Sequence, residues 1–446
     1  MRVNQHSDGR EREFDTPGAL SMTSLLGRGA GQAVANPSCA VLDDAADRRG
    51  DYPASIARFD LDAIRTALPV LEHSTYLNTG AAGPLPTYAR DAMREQLDAE
   101  ILRGRVLPDA RSVFLASLET LRAEFARRLK APPHSIAITD TTTHGLNIAL
   151  WGCLGSGAEE ILTTSFEHTA SLAPLKAISD LLGAKVIVYQ APPSDFDCDA
   201  FMSLATSRTK ALVISHVDWT SGLDIPLKQV STAARERGIL TIVDGAQAVG
   251  VIDVDIEDLG CDAYAFPGQK WLMGPEGIGG LYIRPASLEH FHLTYAGPLS
   301  FERHGGGLQF DLKADCSRFE LGTRFRGLAP GMTASLRWLG EHVGVEAAQA
   351  RLRHLRARLV DRLLDLERSR GICVIAPNAR SGLVAIDLPP RLSAPDLSVT
   401  LAQRSIFIRA IPGPNLNRIR ASTAFFNSEA ELDRFVGELD SELRSI

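Results

Sequence analysis

Asp262-Ala263-Tyr264-Ala265-Phe266-Pro267-Gly268-Gln269-Lys270-Trp271 runs from an apolar stretch into a turn that ends on one lysine beside an aromatic ring. Gly274-Pro275-Glu276-Gly277-Ile278-Gly279-Gly280 follows, and Leu281-Tyr282-Ile283 resumes a strand. The glycines let backbone come close where side chains would intervene. Upstream, Ile242-Val243 closes another apolar run and is followed at once by Asp244-Gly245-Ala246-Gln247. A carboxylate and an amine thus leave two neighbouring strand ends, where open parallel sheets collect their ligands.

Working outward, short apolar runs alternate with helical stretches: Ile136 to Thr139, Glu160 to Thr164, Lys185 to Tyr189, Ala211 to Ser215, Leu240 to Val243 and Ala263 to Phe266. Strands apolar on both faces and separated by helices predict an α/β fold with a mainly parallel sheet covered on both sides. Before them, Phe114, Leu118, Leu121, Phe125 and Leu129 recur at helical spacing, so a helix over about 111–130 buries one face. After about residue 330 a charged helix carries Leu352, Leu355, Leu359 and Leu363 on one side. Strand candidates at Gly382 to Asp387 and Ile406 to Arg409 and a terminal helix follow, as in a smaller α+β domain. The expected organisation is a disordered leader over 1–55, a large domain with an N-terminal arm over 56–330, and a small C-terminal domain over 331–446.

The 446 residues exceed what one core usually serves, in keeping with two domains. A net charge of -7 leaves no basic footprint for nucleic acid or an anionic membrane, so small molecules are the expected partners. Cys39, Cys153, Cys198, Cys261, Cys316 and Cys373 form no Cys-x-x-Cys pair, which argues against a zinc site or a disulfide framework and for the cytoplasm. Ser24-Leu25-Leu26 is broken at once by Gly27, Gly29 and Gly31, too short for a signal sequence. Those glycines are no dinucleotide fingerprint either, since Gln32 stands where the third glycine belongs and no strand precedes them.

Asp244 at a buried strand end needs a cationic partner. A pyridinium nitrogen is one, and the ion pair keeps such a ring able to accept electrons. An aspartate after a strand is more commonly a helix N-cap. A partly desolvated Lys270 has its amine pKa lowered, as a Schiff-base nucleophile requires. A lysine after a strand is usually a solvated surface residue. The joint occurrence of the two segments favours the site.

From Asp244 to Ile283 the chain resembles the class V aminotransferase family, which includes the cysteine desulfurases, kynureninase and isopenicillin N epimerase. The resemblance extends over about 75–440 and implies pyridoxal 5'-phosphate (PLP) fold type I, with a mainly parallel seven-stranded sheet and a smaller α+β C-terminal domain. It implies catalytic roles for Lys270, Asp244 and His168. Thr141-Thr142-Thr143-His144-Gly145-Leu146-Asn147 resembles the phosphate segment, in which Thr142 and above all Thr143 supply hydroxyls beside helix amides. Ser165-Phe166-Glu167-His168 is similar to the segment whose histidine stacks on the pyridine ring and serves in proton transfer. Gln247 falls where the family places a glutamine against the PLP phenolic oxygen, and His216, on a neighbouring strand end, is expected beside the cofactor as well. Ile419-Arg420-Ala421-Ser422 resembles the segment whose arginine binds the substrate carboxylate. Asn78-Thr79-Gly80-Ala81 is similar to a loop that closes over the substrate, which places Asn78 and Ala81 beside it. Phe319-Glu320-Leu321-Gly322-Thr323 resembles a segment that reaches the phosphate of the neighbouring subunit, implying a homodimer with Thr323 in the shared site.

Two departures matter. Pro267 and Gln269 stand where many members have a hydroxyl and a histidine, so Gln269 is expected to take part in phosphate binding. No cysteine follows Cys373, and Ala410-Ile411-Pro412-Gly413-Pro414-Asn415 fills the region where a desulfurase carries its nucleophile. The expectation is carbon-sulfur β-elimination from an S-cysteinyl conjugate, similar to lyases of ergothioneine and lincosamide biosynthesis. Aminotransferase, epimerase and decarboxylase chemistry stay open, as does, in another class, a non-catalytic PLP-binding regulator.

Overall fold

A computed structural model describes residues 59–154, 159–413 and 416–445. The expected leader, its three glycines, Cys39 and the pair Pro414-Asn415 lie outside the described residues. The central sheet is built from β1 (Ile136–Thr139), β2 (Glu160–Thr164), β3 (Lys185–Tyr189), β4 (Thr209–Ser215), β5 (Leu240–Asp244), β6 (Ala263–Pro267) and β7 (Gly279–Ile283). Its seven strands lie in the order β1-β7-β6-β5-β4-β2-β3. All run parallel except β7, which is antiparallel to both its neighbours.

Alternation along each strand feeds two cores. Ala211 and Val213 join Ile161, Ile242, Ala265 and Leu281 on one face, while Leu212 and Ile214 join Leu162, Val243, Tyr264 and Phe266 on the other. The second face is covered by α1 (Ala110–Leu129), whose Phe125 meets Phe266 edge to face at 5.0 Å. The first is covered by α2 (Thr142–Cys153) and α3 (Thr169–Leu182). Gly145 lets α2 seat on the strands, since a Cβ there would stand 2.9 Å from that of Ala265. A buried ion pair, Arg122 to Glu320 at 2.6 Å, ties α1 to the segment ending in Thr323. Glu320 also accepts from the Ile138 amide at 2.7 Å, which fixes that segment beneath β1.

The C-terminal part carries a four-stranded antiparallel sheet, β8 (Cys373–Ile375), β9 (Leu383–Asp387), β10 (Arg409–Ile411) and β11 (Arg418–Ser422), in the order β8-β9-β11-β10. The long helix Val345–Arg370 serves two cores: Leu355, Leu359 and Leu363 pack with this sheet, whereas Leu352 belongs to the core of the large sheet. The break expected at 330/331 falls inside the helix Leu328–Trp338. The N-terminal arm also sits differently from expectation: Thr75 and Tyr76 pair with Ile406 and Phe407, and Leu77 is buried in the C-terminal core. Among the described residues no helix is long and apolar enough to cross a membrane. Cys153, Cys198, Cys261 and Cys316 are free, buried thiols.

Candidate active site

The carboxyl ends of β1, β2, β4, β5 and β6 converge on a cleft of about 180 Å³. Thr142, Thr143, His168, Asp244, Gln247, Gln269 and Lys270 all line it, together with Thr141, Ser215, Val217, Trp219 and Pro267. Parallel strands end on one edge, and the residues just past those ends are what the sequence motifs supplied.

Lys270 follows β6. Burial lowers its amine from the ordinary lysine value to about 8; Asp244 opposes that shift and Arg420 and Arg409 reinforce it. Asp244 ends β5, and one of its oxygens accepts from the Ala246 amide at 2.9 Å. Burial raises its carboxyl above the usual range, and Lys270 pulls it back. A buried carboxylate with little neutralising charge is the setting that a cationic ring nitrogen satisfies.

His168 N-caps α3: its Nδ1 accepts from the Ala170 amide at 3.1 Å. Burial first, then Lys270, Arg420 and Arg409, lower its imidazole to about 4. The ring is therefore neutral near pH 7, with its proton on Nε2. Beside it, the Glu167 carboxyl bridges β2 and β4, receiving Thr164 Oγ1 at 2.8 Å and the Ser215 amide at 2.9 Å, with Ser215 Oγ at 2.7 Å. Burial raises Glu167 to about 8, so it is chiefly neutral at pH 7.

Thr141, at the N-cap of α2, receives the His144 amide on its own hydroxyl at 3.0 Å. The Thr142 hydroxyl is enclosed and has no partner, and the Gln269 amide oxygen is in the same condition. Thr143, the preferred hydroxyl of the sequence reading, is exposed. Gln247 is held at both ends of its amide, donating to Gly80 O at 2.8 Å and accepting from Trp271 Nε1 at 2.9 Å.

Arg420 on β11 is buried; its Nη1 donates to the Trp219 carbonyl at 2.5 Å and its Nε has no partner. Burial and then Arg409 lower its guanidinium to about 10, leaving it charged at pH 7. Asn78 Oδ1 is enclosed without a partner, and Asn78 bridges to Ser422 on the same strand. Ala81 closes a turn onto the Asn78 carbonyl at 2.9 Å. In this loop Gly80 and Gly83 have no room for a side chain: a Cβ on Gly80 would stand 2.9 Å from Arg420 Nη2, and one on Gly83 2.2 Å from the Lys270 carbonyl.

His216 is a correction. Strand alternation turns it away from Ser215 and the cleft; its Nδ1 meets the Tyr264 hydroxyl at 2.9 Å and it lines a different surface with Ile225, Leu227 and Arg380. Thr323 is exposed and does not line the cleft of its own chain. Sequence reasoning missed Arg409, on β10 directly opposite Arg420, whose charge reaches Lys270, His168 and Arg420. It also missed Trp219, Ser215 and the bridging role of Glu167. Among the described residues no group of His, Cys, Asp and Glu is placed to hold a metal ion.

A parallel sheet that presents a lysine and a buried aspartate to one cleft, beneath a neutral histidine, defines an enzyme built for an aldehyde cofactor with a basic ring. The family model "Aminotransferase class-V" matches residues 75–435. A probable cysteine desulfurase of Xylella fastidiosa is 29% identical over 407 residues, covering 85% of this chain and 95% of the relative. The isopenicillin N epimerase of Streptomyces clavuligerus is also 29% identical, over 82% of this chain and 94% of its own length. Two solved structures of the cystine C-S lyase C-DES are similar. One, with glycine covalently linked to its PLP cofactor, has a TM-score of 0.80 at 28% identity, over 84% of this chain and 98% of that chain. The other, holding the product cysteine persulfide, has a TM-score of 0.79 at 28% identity, over 83% and 98%.

The chain belongs to the class V aminotransferase family of PLP-dependent enzymes. The residues fit that cofactor: the enclosed, partnerless Thr142 hydroxyl lies in the first turn of α2, where helix amides favour a phosphate, and Lys270 and Asp244 line the same cleft.

Proposed function

We propose that this enzyme cleaves the carbon-sulfur bond of an S-substituted cysteine by β-elimination, the thiol leaving with a proton and the remaining enamine taking up one water to give pyruvate and ammonia. Bound PLP supplies an electron sink conjugated to the substrate's α-carbon. Lys270 would hold the cofactor through its amine, and that amine, when free, is the base placed to take the substrate's α-proton. An amine with a pKa of about 8 is basic enough to accept that proton, and about a tenth of it is unprotonated at pH 7. Asp244 would keep the ring nitrogen protonated, and His168, neutral and fixed by its bond to Ala170, would lie against the ring. Thr142, Thr143, Gln269 and the first amides of α2 would hold the phosphate, and Gln247 keeps one N–H that would be free for the phenolic oxygen. Arg420 takes the α-carboxylate beneath Asn78 and Ala81.

What carries the lyase reading is the sulfur inventory of the cleft. None of the residues lining it is a cysteine, and no cysteine follows Cys373 in the sequence. Sulfur leaving the substrate meets no thiolate to receive it as a protein persulfide. Arg409 adds a second guanidinium near the reacting end, suited to an acidic group on the sulfur-borne part of a conjugate. The likeness to a cystine C-S lyase supports the same reading.

The test is incubation of the PLP-loaded enzyme with a panel of S-substituted cysteines without any keto acid. Release of pyruvate and thiol is the expected result; strict dependence on a keto-acid acceptor rejects it in favour of an aminotransferase. We further propose that the active unit is a cytoplasmic homodimer in which Thr323 completes the partner's phosphate site, and sedimentation of the holoenzyme as a monomer rejects that.

A further inference from the structure

Residue 219 is a tryptophan whose indole N–H lies enclosed without an acceptor, although the residue lines the reaction cleft. An indole nitrogen only donates, so its partner must bring an oxygen or another lone pair. The position is rigidly set. Asp218, fully buried, accepts from the Thr220 amide at 2.8 Å, the Thr220 hydroxyl at 2.9 Å and the Ser221 hydroxyl, which closes the turn that presents residue 219. The indole meets the His168 ring edge to face, with centroids 4.9 Å apart and planes at 87°. The backbone of the same residue grips Arg420, whose Nη1 donates to the Trp219 carbonyl at 2.5 Å. Arg420 Nε is enclosed and partnerless as well. Two buried donors short of acceptors therefore belong to residues joined by a hydrogen bond, at the edge of the cleft that holds Lys270.

We propose that Trp219 is a substrate-binding residue: its indole N–H donates to the α-carboxylate that Arg420 receives. This rests on the amino-acid reading above and deepens it. A carboxylate has lone pairs beyond those a guanidinium fork occupies. A neutral donor that cannot be deprotonated adds orientation without adding charge beside Lys270. An amine lacking the carboxylate leaves both donors unpaired, so the site discriminates amino acids from amines by a penalty as well as an attraction.

The test compares the PLP-loaded parent with Trp219→Phe, which keeps an aromatic ring against His168 and removes the N–H. Affinities come from the cofactor absorbance change on titration with S-methyl-L-cysteine and with 2-(methylthio)ethylamine, the same molecule without its carboxylate. The variant is expected to bind S-methyl-L-cysteine about tenfold more weakly or worse, the usual loss for a hydrogen bond to a charged group. PLP itself is expected to bind parent and variant alike, and the amine is expected to bind the variant no more weakly than the parent, since one unpaired donor is gone. An unchanged affinity for S-methyl-L-cysteine overturns the proposal, and so does equal weakening for the amine. A selective loss of PLP affinity assigns the N–H to the cofactor and overturns it too. A parent whose absorbance responds to neither ligand nor to any other amino acid sinks the functional reading itself, and this inference with it.

Discussion

Replacing Gly83 by alanine places one carbon atom against the loop that carries the reactive lysine. The new Cβ would stand 2.2 Å from the Lys270 carbonyl oxygen and 2.6 Å from Met273 Sδ. Ordinary contact begins at 3.4 Å, so the carbonyl and the Asn78–Pro84 loop must part by about 1.2 Å. The Gly83 amide, which donates to the Gln269 carbonyl at 2.7 Å, cannot keep its bond through that shift. Overpacking of this kind costs about 1–3 kcal/mol of stability. The larger effect is on chemistry, because reacting groups tolerate only about 0.5 Å of misplacement and a 1 Å error costs on the order of 100-fold in rate. The measurement is kcat/KM of the purified variant, with the cofactor absorbance band and far-ultraviolet dichroism recorded alongside. A fall of about 100-fold in a folded protein is expected. Gly437→Ala is the control, since a Cβ there meets nothing within 4 Å inside the terminal helix; that variant is expected to match the parent in rate and to gain about 0.5–1 kcal/mol in stability. Parental kinetics in Gly83→Ala refute the argument that this loop positions Lys270.

Lys270→Ala is expected to lose turnover and to leave no cofactor bound to protein after borohydride reduction and denaturation. In the parent, capture of added PLP by the apo-protein requires the neutral amine, so its rate should climb as pH rises through about 8; an inflection near the ordinary lysine value contradicts the burial argument. Burial holds Glu167 above the ordinary carboxylate range, at about 8, so the native state keeps a proton that the unfolded chain has already lost. Its contribution to stability is complete below the unfolded value and disappears as pH rises through about 8. Glu167→Gln removes that slope, and urea titrations from pH 5 to 9 should show the variant gaining on the parent by about 1.4 kcal/mol per unit up to about pH 8 and levelling off above it. Parallel curves defeat this account. Arg420→Ala is expected to weaken amino-acid binding at least about tenfold by loss of charge-assisted hydrogen bonds, read as the same absorbance titration.

The large sheet was legible because its strands are apolar on both faces; Ile136–Thr139, Glu160–Thr164 and Lys185–Tyr189 are bounded as the runs predicted. Asp244 and Lys270 were legible because each follows such a run directly. His216 was misassigned through its neighbour: being one residue past Ser215 sends it to the opposite face, which a motif read as a string does not convey. Arg409 and Trp219 were invisible for another reason. Arg409 acquires meaning only by pairing across strands with Arg420, and Trp219 only by the fold bringing its turn to β11 from far along the chain. The pairing of Thr75 and Tyr76 with Ile406 and Phe407 was not legible, because a two-residue strand gives no periodicity to read.

The loop from Asn78 to Pro84 touches Arg420 through Gly80 and the Lys270 turn through Gly83. One short stretch of backbone thus abuts both the group that captures the ligand and the turn of the group that reacts with it, so recognition and reactivity share a wall.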